Sequence, residues 1–330
     1  MDKITEKVRE MYSKYPYPSP SSNALQTNEL LNLLKIFSLE NNYVMSNKKI
    51  LDAGTGTGHR LINTAKNFQN NTFIGVDLSN KSLKIAKRLC KDNNLTNIEF
   101  RITNIMEELT ELGKFDLILC MGVLHHLSNP KKGLNNLINI LKENGIIFLY
   151  LYGKLGGHER MIKKKIISLL MGNNINYNKG IKIARKLNFN DFEYGWNIKA
   201  KNSNEENSLI TDAYLNPNEK LYDFEDIKTL LKDSGLYGFS IYGISTGKQG
   251  LLFDTRTKQK GRLQIPQTNI NNIIKSREIL KFYDSLSIEN KYNVLDLFYE
   301  PNGYTIIGFT KTSYNLFSEK SRILNNFIHL

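Results

Sequence analysis

The chain is short of cysteine, of long apolar runs and of acids to balance its lysines, and each shortage excludes something. Only two cysteines occur in 330 residues. Cys90 falls in a predicted helix and Cys120 in a predicted strand, and neither belongs to a Cys-x-x-Cys pair. Both are expected as small buried hydrophobes, not as a disulfide or metal framework. His59 and His158 have no partner at metal-ligand spacing, so no metal is expected. No window approaches the roughly 18 apolar residues of a membrane span, and the opening MDKITEKVREMYSKYPYP has no apolar signal core. A cytoplasmic protein without a membrane segment is expected. The composition, 40% hydrophobic and 23% charged, is that of an ordinary globular protein.

What is present has a strong rhythm. Residues 1–45 read as a helical arm, broken at Tyr15-Pro16-Tyr17-Pro18, where two prolines fix φ and remove backbone donors. A second helical pattern follows with Leu30, Leu31, Leu33, Leu34 and Phe37 on its apolar side. Residues 46–152 then alternate strand and helix. KKILDAG, TFIGVDL, IEFRIT, FDLILCMG and GIIFLYLYG are the strands, and HRLINTAKNF, SLKIAKRLCKDN and PKKGLNNLINIL are helices. Such alternation predicts a parallel sheet covered on both faces. Residues 153–220 lose the alternation and read as a basic helical insertion. Residues 221–330 return to the sheet with the helix DFEDIKTLLKDSGL and the strand GFSIYGIS. A polar loop TRTKQKGRLQIPQTN, a helical stretch from Ile270 to about Phe298 and a last strand, GYTIIGFTK, complete it.

The chemistry is concentrated in Asp52-Ala53-Gly54-Thr55-Gly56-Thr57-Gly58, at the junction of the first strand and first helix. Glycine is needed where the backbone turns tightly and a ligand approaches. Asp77 ends the next strand, 21 residues beyond Gly56, where a carboxylate can accept from both hydroxyls of a ribose. The spacing Gly54, Gly56, Gly58 is not the dinucleotide Gly-x-Gly-x-x-Gly, since His59 stands where that pattern has its third glycine. A nucleoside without a pyrophosphate fits better.

With LDAGTGTG, GVDLS and FDLILCMGVLHHL, the chain resembles the class I S-adenosylmethionine-dependent methyltransferases. The resemblance implies a Rossmann-like α/β sheet, mostly parallel with an antiparallel last strand, and S-adenosyl-L-methionine as cofactor. It implies that Gly54, Gly56 and Gly58 line the cofactor, that Asp77 with Leu78 holds the ribose side, and that Asp52 orients the glycine loop. Met121 and Tyr15 join this cofactor set. Many family members carry Asp after the third strand, near the adenine amino group. Here Asn104 and Ile105 stand there, and an Asn carbonyl can still accept. The arm YSKYPYPSP, the Leu-Tyr-Gly after the fifth strand and DAYLNPNEKLYDFEDIKTLLKDSGL resemble a bacterial subgroup that includes rickettsial protein lysine methyltransferases. Many of those show Leu-His-Pro where Leu215-Asn216-Pro217 stands.

Methyl transfer from a sulfonium needs alignment, exclusion of water and removal of a proton. His125, after the fourth strand, is a candidate base, although the pair His125-His126 also suits a simple turn. Tyr17 on the arm and Tyr152 at the end of the fifth strand are candidates on the acceptor side. The arm tyrosines, Tyr12 included, suit either a lid over the sulfonium or a staple to the sheet.

The excess charge is uneven. Of a formal net +13, the segment Lys154 to Lys186 carries +8, nine Lys or Arg against Glu159 alone. It reads as a solvated helical face, a guide for an acidic protein substrate, or a nucleic-acid surface. Met121-Gly122-Val123-Leu124 occupies the place of a base-flipping Asn-Pro-Pro-Tyr motif, and no zinc finger or RNA motif occurs, so nucleic acid is not expected. The leading function is methylation of a protein lysine amine. Small-molecule O- or N-methylation is the alternative. A non-catalytic cofactor-binding partner is a second, which the intact glycine loop with Asp77 argues against.

Overall fold

Parallel strands buried on both faces need apolar residues at nearly every position, and the short apolar runs of the sequence supply them. The computed structural model describes residues 1–19, 26–172, 175–189, 200, 202–247, 249–257, 266–321 and 325–330. Two helices lead in, α1 (Lys3–Lys14) and α2 (Gln26–Asn41). The alternating region is β1 (Lys49–Ala53), α3 (His59–Asn67), β2 (Thr72–Asp77), α4 (Asn80–Asp92), β3 (Ile98–Ile102), β4 (Phe115–Met121), α5 (Pro130–Asn139) and β5 (Leu141–Tyr152). Next come α6 (His158–Met171), α7 (Tyr177–Lys186), α8 (Ser203–Tyr214) and α9 (Phe224–Lys232). The chain finishes with β6 (Gly238–Ser245), β7 (Gly250–Leu252), α10 (Ile270–Ile273), α11 (Arg277–Ser285), α12 (Ile288–Tyr299), β8 (Gly303–Phe309), α13 (Lys311–Lys320) and β9 (Phe327–His329).

The sheet runs β3-β2-β1-β4-β5-β8-β6-β7. The first five strands in this order are parallel, and β8 is antiparallel to both β5 and β6. Strand β6 therefore runs with the parallel set, and β8 is reversed between them. The outer edge of β6 is shared by two short antiparallel strands, β9 along Gly238–Ser240 and β7 along Gly243–Ser245. Leu51 and Ala53 of β1 enter the core on one face and Ile50 the core on the other. Strand order reverses between β1 and β4, and their carboxyl ends open the crevice where ligands bind in such sheets.

Helices α6, α7 and α8 form a cap with its own small core of Ile167, Ile181, Leu209, Ile210 and Tyr214, against which Tyr15 and Tyr17 of the arm pack. No described helix is long and apolar enough to cross a membrane.

Several expectations need correction. GYTIIGFTK is not the last strand, because α13 and β9 follow β8. Strands β7 and β9 have three residues each, too few to show an alternation. The helical stretch after Ile270 is three helices, interrupted where Ser276 and Ser287 cap α11 and α12 by accepting from Ile279 and Asn290. Residue 141, read as the end of a helix, begins β5 and pairs with Phe115. In the loop TRTKQKGRLQIPQTN, positions 258–265 lie outside the described residues.

Candidate active site

The glycine loop is fixed first by its own backbone. Gly54, Gly56 and Gly58 all have φ between +56° and +79°, the left-handed region that other residues adopt at a cost. Gly54 and Thr55 donate their N–H groups to the Val76 carbonyl at 2.8 and 2.9 Å, tying the loop to β2. A Cβ on Gly54 would collide with the Val123 side chain, and one on Gly56 with the Tyr17 carbonyl. Both glycines line a cleft between the sheet edge, the arm and the cap. Gly58 does not. Its absent Cβ lets α3 approach Ala86 of α4, so it serves helix packing.

Asp77 stands on the cleft wall beside Leu78, Thr103 and Ile105. Its Oδ2 accepts the Gly56 N–H at 2.9 Å and its Oδ1 the Ser79 N–H at 2.8 Å. Burial pushes its pKa up, while these N–H groups pull it down. Asp52 lies beneath the loop, with Oδ2 lacking a partner among the described residues and Arg60 as neighbouring charge. Burial raises its pKa too. Arg60 itself lines the cleft and donates to the Met121 carbonyl at 3.0 Å. Sequence reasoning missed it, since a lone arginine at a helix start carries no pattern. Asn104 is turned into its own loop: its Oδ1 accepts from Met106 N and its amide donates to Glu107. Thr103 and Ile105 line the cleft instead.

The arm closes the cleft from above the loop. Thr57 donates its hydroxyl to the Pro18 carbonyl at 2.8 Å and its N–H to the Tyr17 carbonyl at 3.4 Å. Tyr17 and Pro18 also line the cleft, so this segment is both staple and wall. Tyr15 is elsewhere. Its ring packs on Tyr177 with centroids 5.6 Å apart and its hydroxyl reaches Asn178, so it anchors the arm to the cap and does not line the cleft.

The cap side is built from side chains. Tyr12 of α1 donates to Asp212 Oδ1 of α8 at 2.6 Å, and Asn216 donates to the Tyr12 oxygen at 3.1 Å. Asn216 thus belongs to this network. Asp212 is 2% exposed yet lines the cleft with Tyr12, Tyr17, Tyr150, Tyr152 and His126. Burial, then Asp212, lifts the Tyr12 and Tyr152 hydroxyls well above pKa 10. Behind Tyr152 stands Arg160, 5.1 Å from its ring and paired with buried Glu219, which Lys164 also meets at 3.0 Å. Burial would raise the Glu219 carboxyl, but the two cations hold it at about 2.

His125 is not on the cleft. It is fully buried with both ring nitrogens unpartnered among the described residues, its ring stacked on Tyr152 at 3.8 Å. Its neighbour His126 lines the cleft in its place. The short 3-10 turn at Leu124–His126 turns the two side chains in different directions, which sequence cannot show.

The basic segment is partly neutralised by acids of the same fold, most of them later in the chain. Lys154 pairs with Asp223, Lys163 with Glu159, Lys164 with Glu219 and Arg185 with Glu206. Lys165, Lys179, Lys182 and Lys186 are exposed.

Residues 45–193 match a family model described as a methyltransferase domain. An uncharacterised protein of Synechococcus sp. is 27% identical over 266 residues, covering 72% of this chain and 61% of that one. An uncharacterised protein of Rickettsia prowazekii is 33% identical over 151 residues, 45% of this chain and 59% of its own. A ubiquinone biosynthesis O-methyltransferase of Glaesserella parasuis is 28% identical over 156 residues, 44% of this chain and 65% of its length. The structure of PKMT2 from Rickettsia typhi shares the fold, with TM-score 0.58 and 19% identity, across 81% of this chain and 50% of that one. The chain therefore spans about half to two thirds of the length of these proteins. The glycine loop that only Cβ-free residues fit, the carboxylate at the end of β2 and a guanidinium beside them suit a nucleoside with a carboxylate-bearing tail. Together with the strand order and the family match, they make residues 45–193 a class I, S-adenosylmethionine-dependent methyltransferase domain.

Proposed function

We propose that the whole chain is an active methyltransferase and that its acceptor is the side-chain amine of a lysine in a protein. Asp212 carries this reading: a carboxylate 2% exposed, on the cleft, among the rings of Tyr12, Tyr17 and Tyr152. A buried carboxylate within an aromatic wall receives a cation at the end of a long apolar stem. A lysine side chain is such a group. The rickettsial fold neighbour named PKMT2 and the subgroup resemblance of the arm agree with it.

In this reading Asp77 holds the ribose hydroxyls, Leu78 and Ile105 take the faces of the adenine, and Arg60 meets the methionine carboxylate. When bound, S-adenosylmethionine supplies a methyl group on a sulfonium, a leaving group that is already activated. The aromatic side chains exclude water and attract a cation without attacking it. A lysine amine, with an unperturbed pKa of about 10.4, must lose its proton before it attacks. Desolvation beside a second cation lowers that value on both counts, against the pull of Asp212 toward the ammonium.

Small-molecule O-methylation is the second reading, favoured by the similarity to a ubiquinone biosynthesis enzyme over 44% of the chain. Tritiated S-adenosylmethionine, the purified protein and a whole-cell lysate separate the two. Label in the protein fraction, recovered as methyl-lysine after hydrolysis, is the expected result. Label confined to the small-molecule fraction overturns the lysine reading.

A further inference from the structure

Two nitrogens of one ring have different fates at the cleft. His126 Nδ1 lies 2.9 Å from the Asn218 carbonyl oxygen, which can only accept, so Nδ1 carries the proton. The same loop grips the His126 backbone, since the Asn218 amide donates to the carbonyls of His126 and Leu127 at 3.1 and 2.8 Å. Ring and main chain are therefore held by one residue. Nε2 is left with a lone pair, buried and without a partner among the described residues, on a side chain that is 4% exposed and lines the cleft. A buried acceptor with no donor is destabilising unless a ligand supplies one.

We infer that His126 Nε2 is the proton acceptor for the methyl acceptor, with Asn218 as the residue that positions it. For an amine, the proton leaves the ammonium for Nε2, and the imidazole becomes an imidazolium that later releases it to water. The freed lone pair forms the N–C bond as the S–C bond of the donor breaks, its electron pair remaining on sulfur as the sulfonium becomes a neutral thioether. The groups facing His126 suit this cycle. Burial, helped by Lys164, holds the ring below its ordinary 6.5 and so keeps Nε2 a free lone pair at neutral pH, while Asp212 of the cap and Glu219 favour the imidazolium once a proton arrives. Tyr12 meets it edge-on at 6.2 Å, Tyr152 at 5.8 Å and His125 at 4.2 Å, the last with Arg160 nearby.

The inference holds for any acceptor that must shed a proton, so it can fail separately from the lysine reading. Which fraction takes the label decides the acceptor, and the rate in that fraction decides His126. His126→Asn keeps a donor for the Asn218 carbonyl and removes Nε2. It should bind S-adenosylhomocysteine within about threefold of the parent, while single-turnover labelling near pH 7.5 falls by about 10²-fold or more. The deficit should shrink as pH rises toward that at which the acceptor deprotonates unaided. A rate within threefold of the parent at every pH overturns the inference. Nitrogen-15 imidazole spectra of the parent bound to S-adenosylhomocysteine give a readout independent of activity and of the variant's folding. They should show His126 as the Nδ1–H form at pH 7.5, and an Nε2–H form would overturn the assignment.

Discussion

On the sheet side of the cleft the contacts are made by backbone. Gly54, Thr55 and Gly56 donate main-chain N–H groups to Val76 and Asp77, and the arm meets this loop through the carbonyls of Tyr17 and Pro18. On the cap side they are made by side chains: Tyr12 on Asp212, Asn216 on Tyr12, and Arg160 and Lys164 on Glu219. Apart from the arm, the first wall depends on residues that lie within one strand-helix-strand unit. The second joins positions up to 204 residues apart. A backbone wall tolerates change in its neighbours as long as glycine stays. A side-chain wall is specific, and each member can be removed singly.

That contrast is testable at its strongest point first. Arg160→Met leaves Glu219 buried with Lys164 as its remaining partner, and should cost about 3–5 kcal/mol in urea unfolding. Cofactor affinity of the folded variant should stay within threefold. Loss of cofactor binding at full folding would show that the walls are not separate. The acid limb follows with a definite sign. Because the Glu219 carboxyl is held at about 2, below its ordinary 4.5, its contribution is complete above pH 4.5 and is lost as pH falls toward 2. Arg160→Met should flatten that limb, and an unchanged limb would remove Arg160 from the account.

The next effect lies on the sheet side. At one hundred times its dissociation constant, S-adenosylhomocysteine should stabilise the parent by about 2.7 kcal/mol. Asp77→Ala should abolish most of this in a thermal shift assay, and Asp212→Asn should keep it while lowering kcat/KM for the acceptor by about tenfold or more. The reverse pattern would mean that the two walls have been exchanged.

Smaller still is the contribution of His125. Burial holds its imidazole well below its ordinary pKa of 6.5, so stability is complete above that pH and falls as pH drops beneath it. One such group changes stability by at most about 1.4 kcal/mol per pH unit. His125→Phe should reduce this slope between pH 6.5 and 5 and retain methyl transfer, because the ring supports Tyr152 from behind. Abolished turnover in a folded variant would restore His125 to the chemistry. Least of all, Lys165, Lys179 and Lys182 changed together to Glu should raise KM for an acidic protein severalfold at low salt and hardly at high salt. No effect at either salt would leave these lysines as a solvated face.

The sheet side was legible in the sequence because its chemistry is local. Three glycines at alternate positions and an Asp 21 residues on are a pattern of spacing, and spacing is what sequence displays. Even there Gly58 and Asn104 went astray, since a glycine that serves a ligand and one that serves a helix contact look alike. Asp212 offered no local signal, being one acid in an Asn-rich stretch. His125 and His126 differ only in which way a three-residue turn points them. The partners of the basic segment, Glu206, Glu219 and Asp223, lie after it in the chain, so a local count of charge does not show how far it is neutralised.

The divided outer edge of β6 has a consequence for how copies of this molecule meet. A full-length exposed strand is a template on which another chain can add itself and start a growing aggregate. Here three residues of β9 and three of β7 occupy that edge in tandem, each too short to hold a visitor. At the opposite rim, β3 sets Glu99 and Arg101 against each other at 2.6 Å, placing charge along the margin that would otherwise pair. Both rims of the sheet are thus poor templates for strand addition.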